Sequence, residues 1–237
     1  MSHILIIQND KLEGAGVFIR LLGEREIAYT VIPGTQVSAD DHALRAYDAL
    51  MILGGAQAVY ELDVYPYLEQ EIHLCRHYFD VNKPVFCICL GGQIMAAALG
   101  AKVKPNSQKE LGWHELRLTE QGTADPLFAA YPEVSPAFHF HGDFFELPAD
   151  CVSLASSDMT VCQAFRYGDC HYGFQYHCEV DLPLVELICR SNADYMQASG
   201  SDPEQVIAQS KTQLPAYQNQ CHALISGWLD RVKCQVR

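Results

Sequence analysis

The chain has 237 residues, 49% of them hydrophobic and 19% charged, with 16 Lys and Arg against 29 Asp and Glu for a formal net charge of −13. That is the make-up of a folded globular protein with a substantial core, and a negative chain without a basic cluster argues against a nucleic-acid partner and for a small-molecule substrate. No apolar run reaches the roughly 18 residues of a membrane helix, the scattered cysteines form no CxxC pair, and Met1-Ser2-His3 carries no basic leader, so neither membrane contact nor a disulfide framework is expected and the location is read as cytoplasmic.

Ile4 to Gln8 reads as a first buried strand, a glycine-containing stretch follows, and Val17, Leu21 and Leu22 give a short helix its apolar side. Tyr29 to Ile32 is a second strand. After the polar segment around Asp40-Asp41, Ala49 to Leu53 is a third, ended by Gly54-Gly55. This β-α-β alternation predicts a parallel sheet covered by helices on both faces, with ligands gathering beyond the carboxyl ends of the strands. Leu68 to Phe79 is the next helix. His73 and His77 lie four apart on it, but no third ligand is evident, so they read as solvent-facing and no metal is expected.

Pro84 to Gly100 organises the rest. An apolar β-type run turns abruptly into an alanine-rich helix, and Cys89 sits at the turn. A side chain held on so tight a turn needs small neighbours two positions away on each side, and these are Cys87 and Gly91. The following helix N-terminus favours thiolate over thiol and predicts a pKa for Cys89 below the ordinary value of about 8.5. Taken alone, Cys89 reads more readily as a small buried core residue, and only partners elsewhere in the chain favour the catalytic reading.

Short alternating runs from Trp113 to Leu118, Ala137 to His141, Val152 to Ala155, Val161 to Phe165 and Tyr172 to His177 predict a second half richer in strands. In a strand running through Gln175 to Glu179, His177 and Glu179 point to the same side, so the carboxylate can fix the imidazole tautomer, and if that strand lies beside the elbow strand His177 can take the Cys89 proton. Without the elbow, the pair would read as a surface contact. Acyl transfer also needs N–H donors aimed at the developing oxyanion, and the amides of Gly55 and Leu90 are the candidate pair. Beyond Asp181, a plausible N-cap with Pro183 just inside, lie a helix, a break at Ser199 to Pro203, a further helix and a last one opened by Pro215.

These residues resemble the class I, or triad-type, glutamine amidotransferase family, and in particular the glutaminase domain of GMP synthase. Cys87 to Gln93 matches its G-x-C-x-G-x-Q motif and Gly173 to Glu179 its G-x-Q-F-H-P-E motif; Leu53-Gly54-Gly55, Glu110 to Trp113 and His139 to Asp143 extend the likeness. The resemblance implies a flavodoxin-like α/β fold and hydrolysis of a γ-glutamyl amide by Cys89, His177 and Glu179. It further implies substrate contacts from Gln93 and a His141-Gly142-Asp143 loop, with no cofactor and no metal. Residues 1–190 are expected to form this domain and 191–237 a helical extension packed on it.

Three departures bear on the site. Cys87 replaces a glycine and crowds the elbow, Ala56 stands where proline is frequent, and Cys178 replaces proline between His177 and Glu179, where it could shift Glu179. Gly92 falls at a variable position and is expected to cost little. No phosphate-binding loop is evident, so the chain either supplies ammonia to a separate synthetase partner or acts by itself on γ-glutamyl conjugates. A catalytically idle interaction subunit is the reading from another class, and the presence of all three reactive groups argues against it.

Overall fold

The computed structural model describes residues 2–235. One nine-stranded sheet organises the chain, built from β1 (His3–Gln8), β2 (Ala28–Pro33), β3 (Ala49–Ile52), β4 (Val85–Ile88), β5 (Val103–Leu118), β6 (Val134–Phe145), β7 (Cys151–Ser156), β8 (Ala164–Tyr167) and β9 (His171–Phe174). Their order is β2-β1-β3-β4-β9-β8-β7-β5-β6. The first five in that order run parallel, which is the 2-1-3-4-5 arrangement of a flavodoxin-like sheet. The other four pair antiparallel and extend it from β9 outward.

Helices α1 (Val17–Glu24), α2 (His42–Arg45), α3 (Tyr67–Asp80), α4 (Leu90–Ala98), α5 (Glu120–Ala124), α6 (Leu182–Ser191), α7 (Ala193–Ala198) and α8 (Pro203–Gln235) complete the chain. β3 and β4 are buried at every position, because helices cover both faces of the parallel half. On one face Phe18 of α1, Phe86 of β4 and Trp228 of α8 meet edge to face, at 5.0 Å and 5.3 Å between centroids. On the other, Leu68, Ile72 and Cys75 of α3 and Ile94 of α4 pack with Leu50, Ile52 and Cys87. Cys87 therefore lies in the α3 core, and burial together with its neighbour Cys75 pushes its thiol well above the ordinary range. No helix of the described residues is long and apolar enough to cross a membrane.

Three expectations need correcting here. The strand expected from Val161 to Phe165 begins only at Ala164, because the chain turns just before it, where the Ser157 N–H donates to the Thr160 carbonyl, and leaves Val161 exposed. Pro215 does not open a separate helix: α8 runs unbroken through it. Proline removes only the bond to the carbonyl four residues back, on Lys211, and both residues lie on the exposed side, where water can replace that bond. The strand expected from Tyr172 to His177 stops at Phe174, and His177 pairs beyond it only through an isolated bridge to Phe138. The short helices α2, α5 and α7 carry too few residues to impose a periodic pattern.

Candidate active site

β4 delivers the chain to Cys89, which adopts φ 52° and ψ −110° before α4 begins at Leu90. A positive φ at a residue other than glycine is uncommon and marks a turn that its surroundings enforce. Here the Cys89 N–H donates to the Phe174 carbonyl at 2.8 Å, and the Cys89 carbonyl accepts from the Gln93 N–H at 3.0 Å. Gly91 lies against the Ile52 carbonyl and Gly92 against the Phe174 carbonyl, so closely that a Cβ at either position would overlap backbone. The missing side chain of Gly92 permits the contact between α4 and β9.

His177 reaches the same place from the far side. Its N–H donates to the Phe138 carbonyl at 2.9 Å, and its own carbonyl accepts from the Tyr217 hydroxyl of α8 at 2.6 Å. Although the strand has ended, the alternation persists, and His177 Nδ1 lies 2.7 Å from Glu179 Oε1. Cys178 is buried between them and leaves that pair in place. The Glu179 carbonyl accepts from the Val17 N–H at 2.8 Å, and Gly16, at φ +47°, gives that carbonyl the space a side chain would fill.

The electrostatics correct a further expectation. Cys89 is only 5% exposed, and this burial pushes its thiol up rather than down, against the lowering effect of the adjacent His177. The neighbouring His177 imidazolium is what opposes the loss of water, while Glu13 and Glu179 add to the upward shift. Burial disfavours charge on His177 as well, but Glu179 and then Cys89 outweigh it and hold the imidazole well above its ordinary value. The two groups therefore titrate as a pair, in which the imidazolium makes a thiolate attainable.

Cys89 opens onto a cleft of about 350 Å³ that is also lined by Gly55, Gln93, His141, Gly142 and Asp143. Gly55 packs against the Leu90 side chain, so the two residues expected to offer amides are neighbours at the cleft. As the first residue of α4, Leu90 has an N–H with no carbonyl partner within the helix. Gln93 is buried and its Nε2 lies 3.4 Å from Gln175 Oε1, while Gln175 Nε2 approaches Cys89 Sγ at 3.8 Å.

His141, Gly142 and Asp143 belong to β6 rather than to a loop. They face β5 across a register shift, His141 opposite Glu110 and Asp143 opposite Pro105. Burial pushes His141 down to about 3, and its Nδ1 lies 2.9 Å from the Asp143 carbonyl while its Nε2 lies 3.3 Å from the buried Glu110 Oε2. Asp143 accepts from the Tyr60 hydroxyl at 3.1 Å.

Residues the sequence reading passed over also meet here. Glu13, on the segment joining β1 to α1, brings a carboxylate oxygen within 4.8 Å of Cys89 Sγ and a His177 ring nitrogen. Glu13 lies beyond the carboxyl end of β1, where ligands of such sheets gather, and that position was the available signal. Glu110, His139 and His141 form a second close cluster of potential ligand atoms. His73 is exposed on α3, away from both.

The family model described as "Glutamine amidotransferase class-I" matches residues 16–184. The glutamine amidotransferase-like protein YfeJ of Salmonella typhimurium is 30% identical over 204 residues, which is 84% of each chain. A GMP synthase of Streptomyces avermitilis is 31% identical over 168 residues, 70% of this chain but 30% of its own length. Among solved structures, a glutamine amidotransferase from Thermotoga maritima superposes with a TM-score of 0.87 at 24% identity, over 96% of this chain and 97% of its own. Another, from Methylobacillus flagellatus, gives 0.89 at 21%, over 97% and 95%. At such identities the two structures speak for the fold.

Proposed function

The chain belongs to the class I glutamine amidotransferase family, and from that premise we propose that it hydrolyses a γ-glutamyl amide through a thioester on Cys89, with His177 and Glu179 completing a triad. The observation that carries this reading is the strained elbow cysteine facing an imidazole whose other nitrogen is held 2.7 Å from a buried carboxylate. A Cys-His-carboxylate set of this kind activates a nucleophile, keeps the base in one tautomer and stabilises the imidazolium.

In this mechanism the Cys89 thiolate attacks the side-chain carbonyl. The oxyanion is received by the Gly55 and Leu90 amides, and collapse releases the amine. Water then cleaves the thioester. Gln93 and the His141 to Asp143 segment hold the far end of the substrate. That segment offers the substrate the His141 ring and the Asp143 carboxylate, both on the lining of the cleft.

Ammonia is the leaving group if a separate synthetase partner receives it, as in the glutamine-hydrolysing GMP synthase relative. A γ-glutamyl conjugate is the second reading. It is favoured by Ala56, which lines the cleft beside Gly55 where a proline would stiffen the turn, so that the site can admit a leaving group larger than ammonia. Steady-state assays with glutamine and with a γ-glutamyl dipeptide separate the two. Turnover of the dipeptide far above glutamine supports the hydrolase, and the reverse supports the ammonia supplier. Turnover of neither by protein with reduced Cys89 would count against hydrolysis by the chain alone.

A further inference from the structure

The segment between β1 and α1 carries a carboxyl that the triad does not use. Glu13 Oε2 is buried with no hydrogen-bond partner among the described residues. The carboxyl lies directly against Gly54, at the point a Cβ on that glycine would occupy, and Cys89 Cβ is 3.4 Å from the same point. A Glu13 oxygen, Cys89 Sγ and a His177 ring nitrogen lie within 4.8 Å of one another. With Nδ1 engaged by Glu179, Nε2 is the nitrogen left to face the other two. Glu13 also borders the cleft. A carboxyl so placed reaches the space above the sulfur, where a leaving nitrogen or an attacking water must pass.

We propose that Glu13 is a second acid–base group of this site, giving a proton to the departing nitrogen and later taking one from the water that cleaves the thioester. The inference rests on the γ-glutamyl reading above. When the tetrahedral adduct collapses, the C–N bond breaks, its electron pair stays on nitrogen, and the Glu13 proton completes the amine. In the second half a C–O bond forms to water, one water proton returns to Glu13, and the C–S bond breaks with its pair on Cys89. His177 stays protonated beside the sulfur, which keeps the thiolate a good leaving group.

The surroundings suit both protonation states. Burial raises Glu13 to about 7, His177 opposes that shift, and Glu179 and Asp10 add to it. The charged groups facing it are Asp10 on its own segment, Cys89 at the elbow, and His177 and Glu179 beyond β9; Gly54 and Gly55 contribute none. An acid–base group works best with a pKa near the operating pH.

The test is Glu13→Gln in the full chain, which keeps the shape and the polar tip but cannot exchange the proton. On a γ-glutamyl alkylamide, whose nitrogen cannot leave unprotonated, kcat/KM should fall about 100-fold. On γ-glutamyl p-nitroanilide, whose nitrogen leaves readily, kcat/KM should fall less than about tenfold while a burst of nitroaniline appears, because the thioester accumulates. Equal losses of kcat/KM on both substrates would overturn the proposal. Iodoacetamide labelling of Cys89 gives a reading that needs no substrate. The variant should label as fast as the parent near pH 5.5, where Glu13 is neutral, and faster near pH 8.5, where the parent's carboxylate opposes the thiolate. Identical labelling at both pH values would also overturn it. Failure of the parent to turn over either amide, with this labelling difference present, would contradict γ-glutamyl hydrolysis by the chain alone and not the place of Glu13 beside the thiol.

Discussion

The hydroxyl of Tyr217, midway along α8, donates a 2.6 Å hydrogen bond to the carbonyl of His177. The C-terminal helix, which lies outside the stretch matched by the family model, thus holds the backbone of the proposed base. Phe138 holds that residue's N–H from the other side. His177 is clamped between β6 and α8 rather than within a strand.

Tyr217→Phe should therefore affect both stability and turnover. It leaves a buried carbonyl without its partner, for a loss of about 1–3 kcal/mol, and frees His177 to move relative to Cys89. Denaturant unfolding and kcat are the measurements. Unchanged values for both would show that α8 does not hold the site.

The elbow makes a sharp steric prediction. Gly92→Ala drives a methyl group into the Phe174 backbone and should cost about 3 kcal/mol or prevent folding. Gly23→Ala, at an exposed position of α1 with nothing within 4 Å of the new methyl, should stabilise by about 0.5–1 kcal/mol. Equal effects of the two substitutions would contradict the packing described for α4 against β9.

Glu179→Gln removes the largest influence that holds His177 protonated against its burial. In the parent the imidazolium persists through neutral pH, because the folded pKa lies above the ordinary 6.5. In the variant burial prevails and the proton is lost at lower pH. Turnover should fall about 100-fold or more, and Cys89 should remain alkylable but react more slowly near neutral pH. Unaltered turnover would reduce the site to a Cys89-His177 dyad.

Much of this was legible in the chain. The parallel core follows from apolar runs alternating with helical periodicity, and Cys89, His177 and Glu179 stand out because small flanking residues and a two-residue spacing have direct geometric meanings. What escaped was non-local. The Gly92 contact depends on which strand lies beside β4, and the thiol's shift depends on how much water the assembled fold excludes. Glu13 belongs to no motif, and its position just beyond the carboxyl end of β1 was its only signal. Pro215 was misread because a sequence does not say that the carbonyl it orphans faces solvent.

A second buried carboxyl gives a stability prediction away from the site. Glu71 of α3 accepts from Asn9 Nδ2 at 3.1 Å, but its other oxygen has no partner among the described residues, and burial raises its pKa to about 8. The folded state therefore holds a proton that the unfolded state loses above about 4.5, so stability falls as pH rises from there to about 8. Glu71→Gln should match the parent near pH 4 and exceed it near pH 8 by on the order of 3 kcal/mol. Parallel stability profiles for the two proteins would contradict the assignment.

The central claim is that Cys89 carries the acyl group. Rapid acid quenching of the protein during turnover of γ-glutamyl p-nitroanilide, followed by peptide mass mapping, reads it directly. A γ-glutamyl adduct on the peptide carrying Cys89, located on Cys89 by fragmentation and absent from Cys89→Ala together with turnover, is the predicted result. An adduct on Cys87, or a Cys89→Ala protein that still turns over substrate, would contradict it.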